Sequence, residues 1–310
     1  MAEPSSSIPN VSFDNIINFR DVGRTINQFA GKKLLKEGFL FRSARLDEAS
    51  KEDIRRLTDD LNIRTIIDLR STTEHHMAVT KYKKSHPDTN PEEEQQRGEE
   101  EYIHLPSLSD TETSRHLISL TGRAFEKQLL WRLDWWNFAK VLTWLAAGYR
   151  QDAVKLIGEH VMKPAGLTGL AMTTLEASTA ELKQIFGLLG APESDAGSGV
   201  LIHCTQGKDR TGLIILLSLL LTGAVDGETI AREYVLSEKE LEREPAEEKE
   251  ERMREIRALG LTEEYARCPK DFTEKVTEFL VERYGGVREY LDSIGVEERV
   301  IEGVGRRFLA

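Results

Sequence analysis

One stretch of the chain, His203-Cys204-Thr205-Gln206-Gly207-Lys208-Asp209-Arg210-Thr211-Gly212, gathers a thiol, two cations and two glycines within ten residues. Five residues separate Cys204 from Arg210. A tight loop of that length lets successive main-chain N–H groups turn inward and form an anion-binding concavity. Arg210 closes such a ring with a planar fork that matches two phosphate oxygens. Cys204 then lies at the base, where the donors and the amino end of a following helix favour the nucleophilic thiolate. Thr205, Gln206, Gly207 and Lys208 complete the ring, and the Thr211 hydroxyl is expected to donate to the thiolate. Gly207 and Gly212 permit the backbone conformations and close approach that such a loop needs. The chemistry implied is in-line displacement on phosphorus through a phosphocysteine that water hydrolyses. A Walker A loop is excluded, because Gly207-Lys208 is followed by Asp209 and no glycine stands at the upstream position. A dinucleotide fingerprint is excluded too, because Gly197-Ser198-Gly199 precedes the strand instead of following it.

The elements around this loop read as a strand and a helix. Val200 to His203 is short and apolar, and Thr211 to Leu221 is a helix apolar nearly all round, hence central and buried. Ser50 with Asp53 resembles a helix N-cap with an acidic third position, opening a helix to about Leu61. Arg64 to Leu69 is β-branched and apolar on both faces, as in a buried parallel strand. Lys83 to Glu101 reads as a solvated loop, Tyr102 to Leu105 as another strand, and Thr113 to Met162 as a long helical stretch. Glu176 to Leu189 continues as helix, and 191–199 is a turn-rich loop. This alternation predicts an α/β fold, a central mainly parallel sheet flanked by helices. It sets the 203–212 loop at the carboxyl end of a strand and the amino end of a helix, a ready anion site.

With those residues in view, HCTQGKDRTG resembles the signature loop of the cysteine-dependent tyrosine phosphatases. Its Gly-Lys-Asp-Arg-Thr-Gly form is similar to the atypical branch that holds bacterial secreted phosphatases and fungal relatives. Asn18-Phe19-Arg20-Asp21-Val22-Gly23, Leu40-Phe41-Arg42-Ser43, Ile67-Asp68-Leu69-Arg70-Ser71, Ala231 to Ser237 and the tail from Tyr290 to Leu309 resemble that branch's other elements. The resemblance runs in order from about residue 13 to 309 and is weakest from 84 to 164. It implies a tyrosine-phosphatase-like fold with no cofactor. It also implies activity on phosphotyrosine, with dual-specificity activity on phosphoserine or phosphothreonine, and on phosphoinositides, as further readings. By this resemblance residues 13–310 form a single phosphatase domain behind a flexible terminus at 1–12. The domain carries an acidic loop at 84–101 and a helical insertion, a candidate lid, at 111–164.

A phosphoryl-transfer site needs a proton donor for its leaving group. Asp110 follows Leu105-Pro106 where the branch keeps an acid, one residue further on; Asp209, inside the loop, is the second candidate. Asp68 sits mid-strand and is expected to orient Arg70 or the loop. Asp110 has the competing reading of a helix N-cap. Lys208 reads either as an exposed loop lysine or as a second cation for substrates with several phosphates. His203 is expected to position Cys204 by hydrogen bonding, with no metal site, since no second ligand stands at metal spacing. Asn18, Arg20, Asp21, Arg42, Asp68 and Arg70 are expected to form a buried network supporting the loop from outside. Cys268 reads as structural. Trp131, Trp135 and Phe138 share one helical face. Core packing is the expectation there, with a lid or a lipid-facing surface as the alternatives.

Charge narrows the partners. The 310 residues carry 53 acidic and 42 basic groups, a net −11. Broad nucleic-acid binding is therefore disfavoured. Glu92 to Glu101 and Glu238 to Glu255 hold −9 of that total, are expected to be solvated surface, and leave a nearly neutral body in which an anionic substrate is admissible. Two cysteines 64 residues apart make no disulfide framework and suit a reducing, cytoplasmic setting. The start shows no secretory pattern, and the longest apolar run, Gly212 to Val225, is too short to span a bilayer, which leaves only peripheral membrane contact. The sequence leaves the oligomeric state open. Two other function classes compete: a phosphate-reading module without turnover, and a rhodanese-like sulfurtransferase, which the position of Arg210 disfavours.

Overall fold

The computed structural model describes residues 13–85, 112–191 and 197–310. Among them five strands form one sheet: β1 (Arg20–Asp21), β2 (Leu40–Ser43), β3 (Ile63–Asp68), β4 (Ser114–Leu117) and β5 (Gly199–His203). Their order is β1-β2-β5-β3-β4, antiparallel between β1 and β2 and parallel elsewhere. The last strand in sequence thus sits in the middle. Every residue of β2 and β5 is buried, which is why β5 reads as a near-continuous apolar run, while β2 also buries Arg42 and Ser43. Side-chain alternation splits them between two cores: Val200 and Ile202 enter the larger cluster, Leu201 and Phe41 the smaller. A register shift between Ile63 and Thr65 lets Ile63 and Ile66 serve the same smaller cluster.

The register matters for chemistry. Ser43 and Asp68 both pair with His203, so β2, β5 and β3 end at one level. The helix Asp209–Thr222 starts just beyond and is buried from Thr211 to Leu219, as a sequence apolar nearly all round predicts. Ser50 caps the helix Lys51–Arg55 through a reciprocal capping box with Asp53, also as predicted.

Three sequence expectations need correction. The stretch from Thr113 is not helical at its start: Ser114–Leu117 pairs in parallel with the free edge of β3, and this tertiary pairing overrides a tetrapeptide of no strong preference. Helices follow at Arg123–Trp131, Trp135–Ala146, Arg150–Ile157 and Lys163–Ala177, with a π-helical turn from Gly158 to Met162. The run expected as a loop from Lys83 begins instead inside the helix Thr72–Ser85. The acidic run 238–255 is not wholly solvated: Arg252 and Glu244, ion-paired to each other, are both buried. The strand expected at Tyr102 to Leu105, residues 1–12 and most of the acidic loop lie outside the described residues.

Candidate active site

The 204–210 loop is defined by where its carbonyls go. Thr205 O accepts from Arg45 N (3.1 Å), and Gln206 O accepts from Asn18 Nδ2 (2.8 Å). Gly207 O accepts from Asn18 Nδ2 (3.1 Å) and Arg42 Nη2 (2.6 Å), and Lys208 O accepts from Gly212 N (2.8 Å). Four consecutive carbonyls are thus held by the surrounding protein. In a planar trans peptide the next N–H points opposite to the carbonyl. The N–H groups of Gln206, Gly207, Lys208 and Asp209 therefore face the other way, into the loop, and among the described residues none donates within the protein. The result is a ring of uncommitted donors. Gly207 makes it feasible: its φ is 63°, and a Cβ there would sit 2.0 Å from Ser43 O.

The outer clamps are themselves clamped. Asn18, at φ 55°, is oriented by Arg20, whose Nη1 donates to Asn18 Oδ1. Arg20 Nε meets Glu233 Oε1 at 2.8 Å, and Arg42 Nη1 meets Glu233 Oε2 at 2.6 Å. Burial opposes the charge on Glu233, but the two guanidiniums override it and hold the carboxyl below the usual range. One buried carboxylate thus fixes both side chains that pull the loop carbonyls outward.

Inside the ring, Cys204 is only 3% exposed. Thr211 is buried, and its hydroxyl has no partner among the described residues. Arg210 is aligned by Glu74: Nη1 to Oε2 is 2.7 Å and Nη2 to Oε1 is 2.6 Å. Thr205 Oγ1 also donates to Glu74, and Ser71 anchors it from main chain (2.8 Å) and hydroxyl (2.8 Å). Burial again opposes ionisation, yet Arg210 keeps the Glu74 carboxyl far below its usual value. Because Glu74 occupies the Nη1–Nη2 edge, the Nε–H of Arg210 is left without a bond to any described residue.

Behind Cys204, Asp68 is a buried hub. It accepts from Arg70 (3.0 Å) and from Arg115, and lies 3.4 Å from His203 Nε2; Arg70 continues to Asp47 at 2.6 Å. Burial dominates at His203, bringing its pKa down to about 4 against the attraction of Asp68, so the imidazole is neutral at neutral pH. Neither ring nitrogen has a hydrogen-bond partner among the described residues, so packing, rather than the expected hydrogen bond, holds His203.

A sequence model described as the tyrosine phosphatase family matches residues 11–310. The chain belongs to the tyrosine phosphatase family. A relative called "Tyrosine-protein phosphatase", from Nostoc commune, is 37% identical over 134 residues, which is 40% of this chain and 43% of that protein. The match thus spans less than half the length of that relative.

In this tyrosine phosphatase family member the remaining residues fall as follows. Lys208 is fully buried, and its ammonium donates to Tyr265 O (2.9 Å) and Arg267 O (2.7 Å). Both readings of Lys208, exposed lysine and second substrate cation, give way to a tether, since the charge is spent on two carbonyls. Asp209 accepts from Tyr234 Oη (3.2 Å) and faces Lys208 Nζ at 3.6 Å. Asp21 does not join the loop network: it caps the helix Val22–Ala30 and accepts from Gly38 N, because it follows a two-residue strand and opens a helix. Cys268 is buried and free, and burial pushes its thiol up to about 12. Asp110 lies outside the described residues. Sequence reasoning missed Glu74, Glu233, Asp47 and Arg115. For Glu74 a signal existed: Ser71-Thr72-Thr73-Glu74 is a capping-box pattern, and Glu74 N does bond Ser71 Oγ (3.3 Å). Glu233 carried no such mark beyond an acid in an otherwise buried helix face.

Proposed function

We propose that the chain is a cysteine-dependent phosphomonoesterase of the atypical tyrosine phosphatase branch. Residues 13–310 then form one phosphatase domain carrying the helical insertion. The observation that carries this reading is the ring of inward N–H groups between Cys204 and Arg210. An oxyanion with three equatorial oxygens suits such a ring, and fixed donors of this kind stabilise charge developing on phosphorus. Arg210 adds its Nε–H while Glu74 holds the other edge.

The Cys204 thiolate attacks phosphorus, forming an S–P bond as the ester P–O bond breaks. The leaving oxygen takes a proton from an aspartic acid. Water then attacks the phosphocysteine and gives a proton back to the aspartate, the S–P bond breaks, and thiolate and inorganic phosphate are released. Thr211, with its spare buried hydroxyl, supports the thiolate form. Asp209 is engaged by Tyr234 and Lys208, so Asp110 keeps the role of acid, carried by its place in the sequence. A phenolic leaving group needs less proton assistance than an alkoxide. Together with the 3% exposure of Cys204, which favours a long aryl phosphate, this puts phosphotyrosine first; phosphoserine, phosphothreonine and phosphoinositides follow. The free thiols Cys204 and Cys268 suit a reducing, intracellular compartment.

The test is phosphate release by the purified protein from phosphotyrosine peptide, phosphoserine peptide and phosphoinositide. Release that resists EDTA and disappears in Cys204→Ser is expected. Full activity in that variant sinks the mechanism, and tight phosphopeptide binding without turnover in the wild type favours a phosphate-reading module instead.

A further inference from the structure

The helix pair Arg123–Trp131 and Trp135–Ala146 has an apolar face that nothing among the described residues covers. Along the second helix Trp135, Phe138, Leu142 and Leu145 recur at three- and four-residue spacing, which places them in one stripe, and Tyr149 follows just past the helix end. Trp135 is 71% exposed, Leu142 48%, Leu145 43% and Tyr149 59%. Trp131, 69% exposed, stacks on Phe138 at 5.7 Å and widens the stripe; Trp136 flanks it at 80%. The helix does not need this face to stay in place. A different row holds it, with Val141 buried against Ala153 and Leu156 and Trp144 alongside. Core packing, the sequence expectation for these aromatics, is therefore corrected: the residues that pack are Val141 and Trp144.

Charge decides what would cover the stripe. Residues 123–163 hold seven Lys/Arg against four Asp/Glu, net +3, while the rest of the chain is −14. Arg123, Lys127, Lys140, Arg150 and Lys163 are all exposed. A symmetric dimer through this face would set cationic patch on cationic patch. An anionic bilayer surface instead offers headgroup charge to the cations and an interfacial layer in which Trp and Tyr rings are at home. Among the described residues no helix is long and apolar enough to cross a membrane. The geometry that fits is a helix lying in the interface plane.

We propose that the Arg123–Ala146 helix pair docks this protein peripherally on anionic lipid bilayers through the Trp131/Trp135/Leu142/Leu145 stripe. The inference does not depend on the catalytic reading. All four tryptophans of the chain, at 131, 135, 136 and 144, lie on these two helices, so tryptophan emission excited selectively over tyrosine reports this element alone. The full chain is mixed with vesicles of phosphatidylcholine, or of phosphatidylcholine and phosphatidylserine, and followed by co-sedimentation and by tryptophan emission. Binding to the phosphatidylserine vesicles with a blue shift, weakened by salt, is expected. Trp135→Glu/Leu142→Glu is expected to cut that binding at least about tenfold. Both substitutions sit on exposed side chains, and circular dichroism and the thermal midpoint verify the fold. Equal binding to both vesicle types, no binding to either, or binding that survives the double substitution overturns the proposal. So does self-association in light scattering that the substitution abolishes, which assigns the face to a second copy.

Discussion

Glu74 does for Arg210 what Glu233 does for Arg20 and Arg42: a carboxylate decides where a guanidinium points. Glu74→Gln replaces one acceptor with a donor that faces Arg210. The loss expected in kcat is about 10- to 100-fold, through misplacement of the clamp, with a smaller change in KM. Removing one partner of this partly buried pair also costs about 1–3 kcal/mol of stability. The pH sign follows from a carboxyl held below its usual 4.5. Its contribution is whole above that pH and is lost as the pH falls towards the folded value. Urea unfolding at neutral pH should therefore separate wild type from Glu74→Gln, and the gap should narrow steadily below about pH 4.5. A gap that widened in acid would exclude Glu74 as the charged partner.

At the scale of elements, the loop hangs between three supports: β2 through Arg42, the Asn18 segment before β1, and the 265–267 segment through Lys208. The third also meets the insertion, since Tyr265 Oη donates to Met162 O, and a little upstream Leu259 O lies against Gly158, where no Cβ would fit. Lys208→Met keeps bulk and removes the donor. It should lower the thermal midpoint and reduce turnover alike for mono- and polyphosphorylated substrates, measured side by side. A loss confined to polyphosphorylated substrates would return Lys208 to the substrate. This element scale is also where the sequence was most and least legible. β3, β5 and the helix Asp209–Thr222 announce themselves by β-branched or apolar composition, whereas β2, half polar as Leu-Phe-Arg-Ser, was marked only by its family resemblance. β4 has neither mark, because Ser114–Leu117 is a strand only through the edge of β3. The ring residues were legible from Cys-x5-Arg spacing. Lys208 was not: spacing places it in the loop, but only tertiary contact tells that its ammonium leaves the loop for Tyr265 and Arg267.

For the whole molecule, an oxyanion that fills the ring binds the folded chain and not the unfolded one. Stability then rises with ligand by mass action, about 2.7 kcal/mol at a hundredfold excess over the dissociation constant. Tungstate or inorganic phosphate should raise the thermal midpoint of wild type, and Arg210→Ala should abolish that rise; an equal rise in both would place the anion elsewhere. Net charge, −11 overall, offered no hint of such a site, since the ring draws on main-chain N–H groups that carry no formal charge.

The position of β5 in the sheet has a further consequence, for the order in which the protein can be built. β2 and β3 are made first, yet they never pair; each waits for the same missing neighbour, which begins at Gly199. Until then neither strand has the partner that covers that edge in the finished sheet, the kind of exposure that invites aggregation. Adding β5 pairs residues more than a hundred positions apart, so closure is a late, high-contact-order step. That strand is the one that leads into Cys204, so the nucleophile takes its place only as the sheet closes.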